Sequence, residues 1–392
     1  MHTNHPVRRG RTRRPTRALR FALAGVVACL ALLGATMLPA SADDGYGHAD
    51  QSDHGDHGDH GGRNRYTVTS LVSDQAGVAP VVDPNLVNPW GLSAGPTSAL
   101  WVSANGTDVS TLYRNGPTPG SLMTVPLVVS IPGGAPTGQV FNDKGGFEVT
   151  QPGTTTKLPS LFLFAAESGQ ITGWNPMLVP NTSAQPLITT PGAIYKGLAI
   201  ATTAKGTFIY ATDFHNGRVD VFDSSLQPVR RPFAFRDPFI PRGYAPFGVQ
   251  AIDGRIYVTY AKQDADAEDD VRGAGFGFVD VFTPEGFWLR RLASRGVLNA
   301  PWGLVKAPDG FGRFSGALLV GNFGDGRINA FDPRSGRFLG TLRDGNHKPI
   351  EIDGLWGLLF GNGVAGTPTT LLFSAGPDDE QHGLLGSITA PA

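Results

Sequence analysis

Histidines and carboxylates are the side chains with which this 392-residue chain could do chemistry, and they are unevenly placed. Of nine histidines, His2 and His5 lie at the start, His48, His54, His57 and His60 crowd one short stretch, and His215, His347 and His382 are spread over the rest. The run Asp53-His54-Gly55-Asp56-His57-Gly58-Asp59-His60-Gly61 repeats a three-residue unit. Imidazoles and carboxylates at that density bind Zn²⁺, Ni²⁺ or Cu²⁺ through His54, His57 and His60. With no apolar period the same run also reads as a solvated spacer. His215, His347 and His382 on one surface would supply the three donors of a catalytic zinc. A third candidate lies between Lys262 and Gly275, where Asp264, Asp266, Glu268, Asp269 and Asp270 offer hard oxygens to Ca²⁺. The Gly and Glu spacing of an EF-hand is absent, so a plain acidic loop competes with the calcium reading.

What must position these groups is a repeat. From Tyr66 onward an apolar residue or lysine precedes glycine, and an apolar strand follows: Trp90-Gly91-Leu92, Lys196-Gly197-Leu198, Phe247-Gly248-Val249, Trp302-Gly303-Leu304 and Trp356-Gly357-Leu358. Gly145-Gly146-Phe147 supplies a degenerate anchor midway through the first double step, giving steps of 54, 52, 51, 55 and 54 residues. Regularity on this scale marks a repeat architecture. Each unit holds a second apolar strand, such as Leu161-Phe162-Leu163-Phe164 or Ile256-Tyr257-Val258, and in most units an alternating third, such as Val219-Asp220-Val221-Phe222. Four short antiparallel strands in about 50 residues make a propeller blade. The expected fold is therefore all-β, a six-bladed β-propeller of four-stranded antiparallel blades. The last unit runs out after its third strand, and Tyr66–Leu71 is an orphan strand that would close the last blade. Gly 53 and Pro 31 fit so many turns. Trp90, Trp302 and Trp356 should pack between blades.

In such a ring the loops from second to third strand share one face with the blade-to-blade loops, around the channel. They carry Asn105 with Asp108, Glu167, Asp213 with His215 and Asn216, the acidic run Asp264–Asp270, Asn322 with Asp325, and Asp378-Asp379-Glu380 with His382. Asn105, Glu167, Asp213, His215, Asn322 and His382 recur at one point of successive units, so symmetry should gather them about the axis. Turn chemistry also accounts for Asp and Asn at such places. The opposite loops, such as Pro308-Asp309-Gly310-Phe311-Gly312, are poorer in acid.

The segments Ile209-Tyr210-Ala211-Thr212-Asp213-Phe214-His215-Asn216-Gly217-Arg218-Val219-Asp220-Val221-Phe222-Asp223 and Pro246-Phe247-Gly248-Val249 resemble NHL repeats. Residues 66–390, through Asn88-Pro89-Trp90-Gly91-Leu92, Phe141-Asn142-Asp143, Ala166-Glu167-Ser168-Gly169-Gln170, Asn299-Ala300-Pro301-Trp302-Gly303-Leu304 and Ile352-Asp353-Gly354-Leu355-Trp356-Gly357-Leu358, resemble a secreted bacterial family of NHL-like six-bladed propellers with no assigned activity. That resemblance implies the fold and is silent on chemistry. A calcium hydrolase similar to the gluconolactonases would need Glu167, Asp213 and Asn322 to converge.

The first 42 residues read as a signal peptide: seven arginines from Arg8 to Arg20, an uncharged apolar run from Phe21 to Leu38, and the cleavage pattern Ala40-Ser41-Ala42. A retained anchor is the competing reading for a run of that length. Arg13-Arg14 suggests twin-arginine export, but Pro15-Thr16-Arg17 lacks the apolar pair such signals carry. Cys29, the one cysteine, sits in a loose lipoprotein box whose following residues stay apolar. Residues 43–65 are then a disordered linker and 66–392 the propeller. Without the leader, 25 basic residues face 33 acidic ones, a net charge of −8. That argues against nucleic acid or an anionic membrane as partner. It also leaves no thiol, so stability must come from packing. The expectation is a secreted, monomeric binding or scaffold module that presents its acidic face to a glycan, peptide or protein. The alternative is a metal-dependent hydrolase, lactonase or lyase, holding Ca²⁺ or Zn²⁺ at the same mouth.

Overall fold

Short apolar strands joined by tight turns bury both faces when sheets stack around an axis. In the computed structural model, which describes residues 63–391, six sheets do this. From the axis outward, blade 1 is Pro89–Ser93, Leu100–Ala104, Val109–Asn115 and Leu122–Thr124, and blade 2 is Pro136–Phe141, Phe162–Ala166, Gln170–Trp174 and Gln185–Thr189. Blade 3 is Tyr195–Thr203, Gly206–Asp213 and Arg218–Asp223. Blade 4 is Tyr244–Ile252, Arg255–Lys262, Gly277–Phe282 and Trp288–Ser294, and blade 5 is Pro301–Lys306, Leu318–Asn322, Ile328–Phe331 and Phe338–Thr341. Blade 6 takes Leu355–Phe360, Leu371–Ala375 and Leu384–Thr389 from the end of the chain and its outer strand, Thr67–Ser73, from the beginning. That pairing is antiparallel, with Thr67 opposite Thr389 and Ser73 opposite Leu384. The protein is a six-bladed β-propeller whose first strand closes its last blade.

Two details differ from the sequence expectation. Blade 2 does not start at Gly145-Gly146-Phe147. Its inner strand is Pro136–Phe141, so the glycine steps on either side of Gly138 are 47 and 59 residues. Phe147 is buried ahead of an extra hairpin, Glu148–Thr150 with Lys157–Pro159, inserted between the first and second strands. Blade 3 has three strands, because its outer position is filled by Gln227-Pro228-Val229-Arg230-Arg231-Pro232, where prolines cannot donate to a ladder. Only an isolated bridge, Phe222 to Pro228, marks the missing strand.

Gly91, Gly138, Gly197, Gly303 and Gly357 line the channel, and a cavity of about 40 Å³ remains between them. Their role is close approach between blades. A Cβ on Gly357 would sit 2.5 Å from the Trp90 carbonyl oxygen, and one on Gly197 would sit 3.0 Å from that of Phe247. In blades 3, 4 and 6 the glycine N–H donates to a second-strand hydroxyl, Thr212 (2.7 Å), Thr259 (2.7 Å) and Ser374 (2.9 Å). Two of these hydroxyls donate onward to the neighbouring blade, Thr212 to the Phe247 carbonyl and Ser374 to that of Trp90, each at 2.6 Å. The buried polar groups are thus satisfied in pairs across blade boundaries.

Candidate functional site

Each inner strand starts at the face carrying the second-to-third-strand loops, so the residue before each glycine lies one step nearer that mouth. Trp90, Trp302 and Trp356 occupy three of these steps and Phe247 a fourth. Together with Phe214 and Phe323 they form one buried cluster across the axis. Trp90 stacks on Trp356 with centroids 3.5 Å apart, Phe323 stacks on its other side at 3.9 Å, and Trp302 meets both indoles edge-on. The tryptophans therefore pack with one another as well as between blades, and they floor the mouth.

Lys196 takes the same step in blade 3. Its side chain is 2% exposed, and its ammonium lies 5.3 Å from the Trp90 ring centre, paired with Glu167 Oε1 at 2.5 Å and Asp269 Oδ1 at 3.2 Å. Burial by itself would lower this ammonium's pKa, but Glu167 and Asp269 outweigh it and hold the group above the usual lysine value. From that pair a hydrogen-bonded chain runs around the mouth. Asn105 donates to Glu167 Oε2 (3.3 Å), and Asn88 donates to Asn105 (3.4 Å) and to Glu380 Oε2 (2.8 Å). The Asn88 side-chain oxygen Oδ1 also accepts from the Trp356 indole at 3.1 Å, tying the polar ring to its aromatic floor. From the other side, Arg272 lies 4.4 Å over the Phe323 ring and 3.7 Å from Asp379, which completes the circuit through blades 4, 5 and 6.

Two loops supply most of the charge. The blade 4 insertion crosses the mouth, held by Gln263 on the Phe214 carbonyl (2.6 Å) and by the Gly273 N–H on Asn299 (2.6 Å). It delivers Asp269, Asp270 and Arg272. In the blade 6 loop Asp378, Asp379 and Glu380 are three successive non-glycine residues with positive φ, 57°, 48° and 66°. Such a backbone persists only where its surroundings hold it. Here the Asp378 N–H donates to Asp353 at 2.8 Å, and Asn88 holds the Glu380 carboxylate. Burial pushes the Asp270 carboxyl up to about 7, with Lys196 and Arg272 opposing and Glu380 and Asp269 adding to the rise. Burial also raises Glu380, the Asn88 hydrogen bond offsets part of this, and Glu167 and Asp269 raise it further.

Of the residues expected at the mouth, Asn105 and Glu167 are brought together. Asp213 is fully buried and serves its own turn, accepting from the Ile194 N–H, from Asn216 and from Arg218. Asn322 donates to the Val297 carbonyl and to Asp325. Glu167, Asp213 and Asn322 thus have no hydrogen-bond partner in common. His215 is exposed, with Nδ1 3.2 Å from the Ala267 carbonyl oxygen, and His382 Nδ1 lies 2.9 Å from Asp74. His347 Nε2 lies 2.7 Å from Arg65. In the acidic run, Asp264 accepts from the Glu268 N–H within its own loop, Asp266 and Glu268 are exposed, and Asp270 is turned inward. Among the described residues no group of three or more His, Cys, Asp or Glu side chains is placed to hold a metal ion, neither the three histidines nor Asp264, Asp266, Glu268 and Asp270. His54, His57 and His60, with the leader and most of the linker, lie outside the described residues. Sequence reasoning missed Lys196 and Asn88. The first had a signal, a lysine where four other units carry Trp or Phe.

Fold and site together define the class: a six-bladed propeller with an aromatic-sealed channel under a ring of charge. No family model matches the chain. It is 35% identical over 337 residues to one uncharacterized protein of Acanthamoeba polyphaga mimivirus, covering 82% of this chain and 80% of the relative. It is 34% identical over 345 residues to a second from the same virus, covering 82% and 85%. The chain belongs to the family of these viral proteins. The bacterial family implied by the sequence resemblance is corrected accordingly. Among solved structures it is similar to a streptogramin B lyase (10% identity, TM-score 0.43, 83% of this chain and 97% of that one). It is also similar to a glucose dehydrogenase (13%, TM-score 0.47, 83% and 100%). Likenesses this weak carry nothing about activity.

Proposed function

We propose that this protein is an exported binding module that takes a basic segment of a peptide or protein across its channel mouth. One observation carries the reading: five carboxyls, Glu167, Asp269, Asp270, Asp379 and Glu380, meet around two cations of the described residues, Lys196 and Arg272. Complementary charge then steers the partner and sets its register. The sealed aromatic floor favours a partner lying across the mouth over a small substrate entering the channel. A hydrolase reading would need Glu167, Asp213 and Asn322 to share a centre, and each keeps its own partners.

The test is titration calorimetry of the full chain with an Arg/Lys-rich peptide and an Asp/Glu-rich peptide of equal length. The basic peptide should bind and weaken as salt is raised. Asp379→Asn with Glu380→Gln should cost about five-fold in affinity, while Asp309→Asn, on an exposed loop of the opposite face, should leave it unchanged. Equal binding of both peptides, or no effect of the mouth substitutions, would overturn the reading.

A further inference from the structure

Arg272 holds an odd place for a loop side chain. Its guanidinium Cζ lies over Phe323, 4.4 Å from the ring centre, and Phe323 is itself stacked on Trp356. Its one ionic partner, Asp379, is 93% exposed, and Arg272 is 39% exposed. Exposed ion pairs and exposed cation–π contacts are both weak. The side chain is thus held loosely, although the loop that carries it is pinned at Gln263 and Gly273.

Beside it lies an unmet demand for a cation. The Asp270 Oδ2 atom is buried and has no hydrogen-bond partner among protein groups. Lys196, Arg272, Glu380 and Asp269 are the charged groups facing that carboxyl. Lys196 is already shared between Glu167 and Asp269. Glu380 is bonded to a neutral amide, that of Asn88. The mouth therefore has an aromatic ring covered by a replaceable guanidinium, an unpartnered carboxyl and a second carboxyl held by a neutral amide.

We propose that Arg272 is a built-in stand-in for the ligand, and that the mouth recognises an arginine side chain of the partner, which displaces Arg272 from Phe323 and pairs with Glu380 and Asp379. This rests on the basic-partner reading above and names the group recognised. A guanidinium suits the site better than an ammonium because it stacks on a ring face while donating in its plane to carboxylates. Lys196, the mouth's ammonium, is enclosed and committed, whereas Arg272 stands where a partner can reach.

The experiment compares wild type with Arg272→Ala and Arg272→Lys in the full chain. Each is titrated with two peptides, one alternating Gly and Arg and the other alternating Gly and Lys. Removing an internal competitor raises apparent affinity, so Arg272→Ala should bind the Arg peptide about five-fold tighter than wild type, with Arg272→Lys between them. The Arg peptide should also be preferred over the Lys peptide and should change the tryptophan emission of the floor. If basic peptides bind wild type but Arg272→Ala binds no tighter, or if Arg and Lys peptides bind alike, the stand-in inference fails and the broader reading survives. If neither peptide binds any of the three proteins, both fail.

Discussion

A buried lysine with two half-exposed acidic partners behaves asymmetrically under substitution. Lys196 is 2% exposed, while Glu167 and Asp269 are 29% and 44% exposed. Lys196→Met removes a buried charge, replaces it with a chain of similar length, and leaves two carboxylates that water can reach. Glu167→Gln with Asp269→Asn leaves an ammonium enclosed against Trp90 without either of its ion-pair partners. Uncompensated buried charges cost about 3–5 kcal/mol, so the double variant should lose that much in urea unfolding. Lys196→Met should lose clearly less. Equal losses would mean that the three groups do not act as a buried pair. Lys196→Arg is no conservative rescue, since the planar fork does not fit where a point charge is enclosed.

Among the elements, the inner strands and the closing strand were legible in the sequence, and the reasons are local. Trp302-Gly303-Leu304 and Trp356-Gly357-Leu358 repeat because each blade needs a glycine at the axis and a bulky residue beside it. Blade 2 hid its start because Thr137 replaces the bulky residue before Gly138, and because the hairpin at 148–159 lengthens the unit after it. Asn105 and Glu167 were legible as loop residues of adjacent blades. Asn88, Glu380 and Asp269 were not separable from turn residues, since their convergence depends on where a fourteen-residue insertion crosses the mouth. Asp213 and Asn322 looked equivalent to Glu167 by position, yet their turns use them up locally. The closing strand makes its own prediction. Removing residues 63–73 strips the outer edge from blade 6 along with Tyr66, whose ring packs on Phe311 and Phe314 and whose hydroxyl donates to the Phe311 carbonyl at 3.0 Å. The melting temperature should fall by well over about 8 °C, the shift expected from a loss of a few kcal/mol in a domain of this size. A shift within a degree or two would show the closure to be dispensable.

For the whole molecule, carboxyls raised by burial shape the response to pH, Asp280 and Asp270 foremost. Burial raises Asp280 to about 8, with the neighbouring Asp237 adding to the rise and Arg291 opposing it. Asp270 is raised to about 7. Both folded values lie above the ordinary carboxylate value, so the native state binds protons more tightly than the unfolded chain. These groups favour folding most at pH below about 4, and that advantage is lost as pH rises through 7 to 8. Stability from pH 5 to 8.5 should therefore decline. Asp280→Asn, which keeps the shape and removes the titration, should flatten the decline above pH 6. A variant profile parallel to wild type in denaturant melts would show that Asp280 does not titrate in this range. Among the described residues no helix is long and apolar enough to cross a membrane.

The closing strand also sets an order of events in time. Thr67–Ser73 is the earliest strand of the ring to be synthesised, and its partner, Leu384–Thr389, is the latest. More than three hundred residues separate the two sides of that ladder. Among the strand pairings of the described residues this one joins the most distant segments, so it carries the largest loop-closure entropy and must wait until Leu384–Thr389 has been made. Until then five and a half blades can accumulate as an open arc in which Leu371–Ala375 and Thr67–Ser73 both lack the strand that joins them. The closed ring is therefore a product of the final pairing event: until Thr67–Ser73 and Leu384–Thr389 meet, blade 6 keeps an open edge.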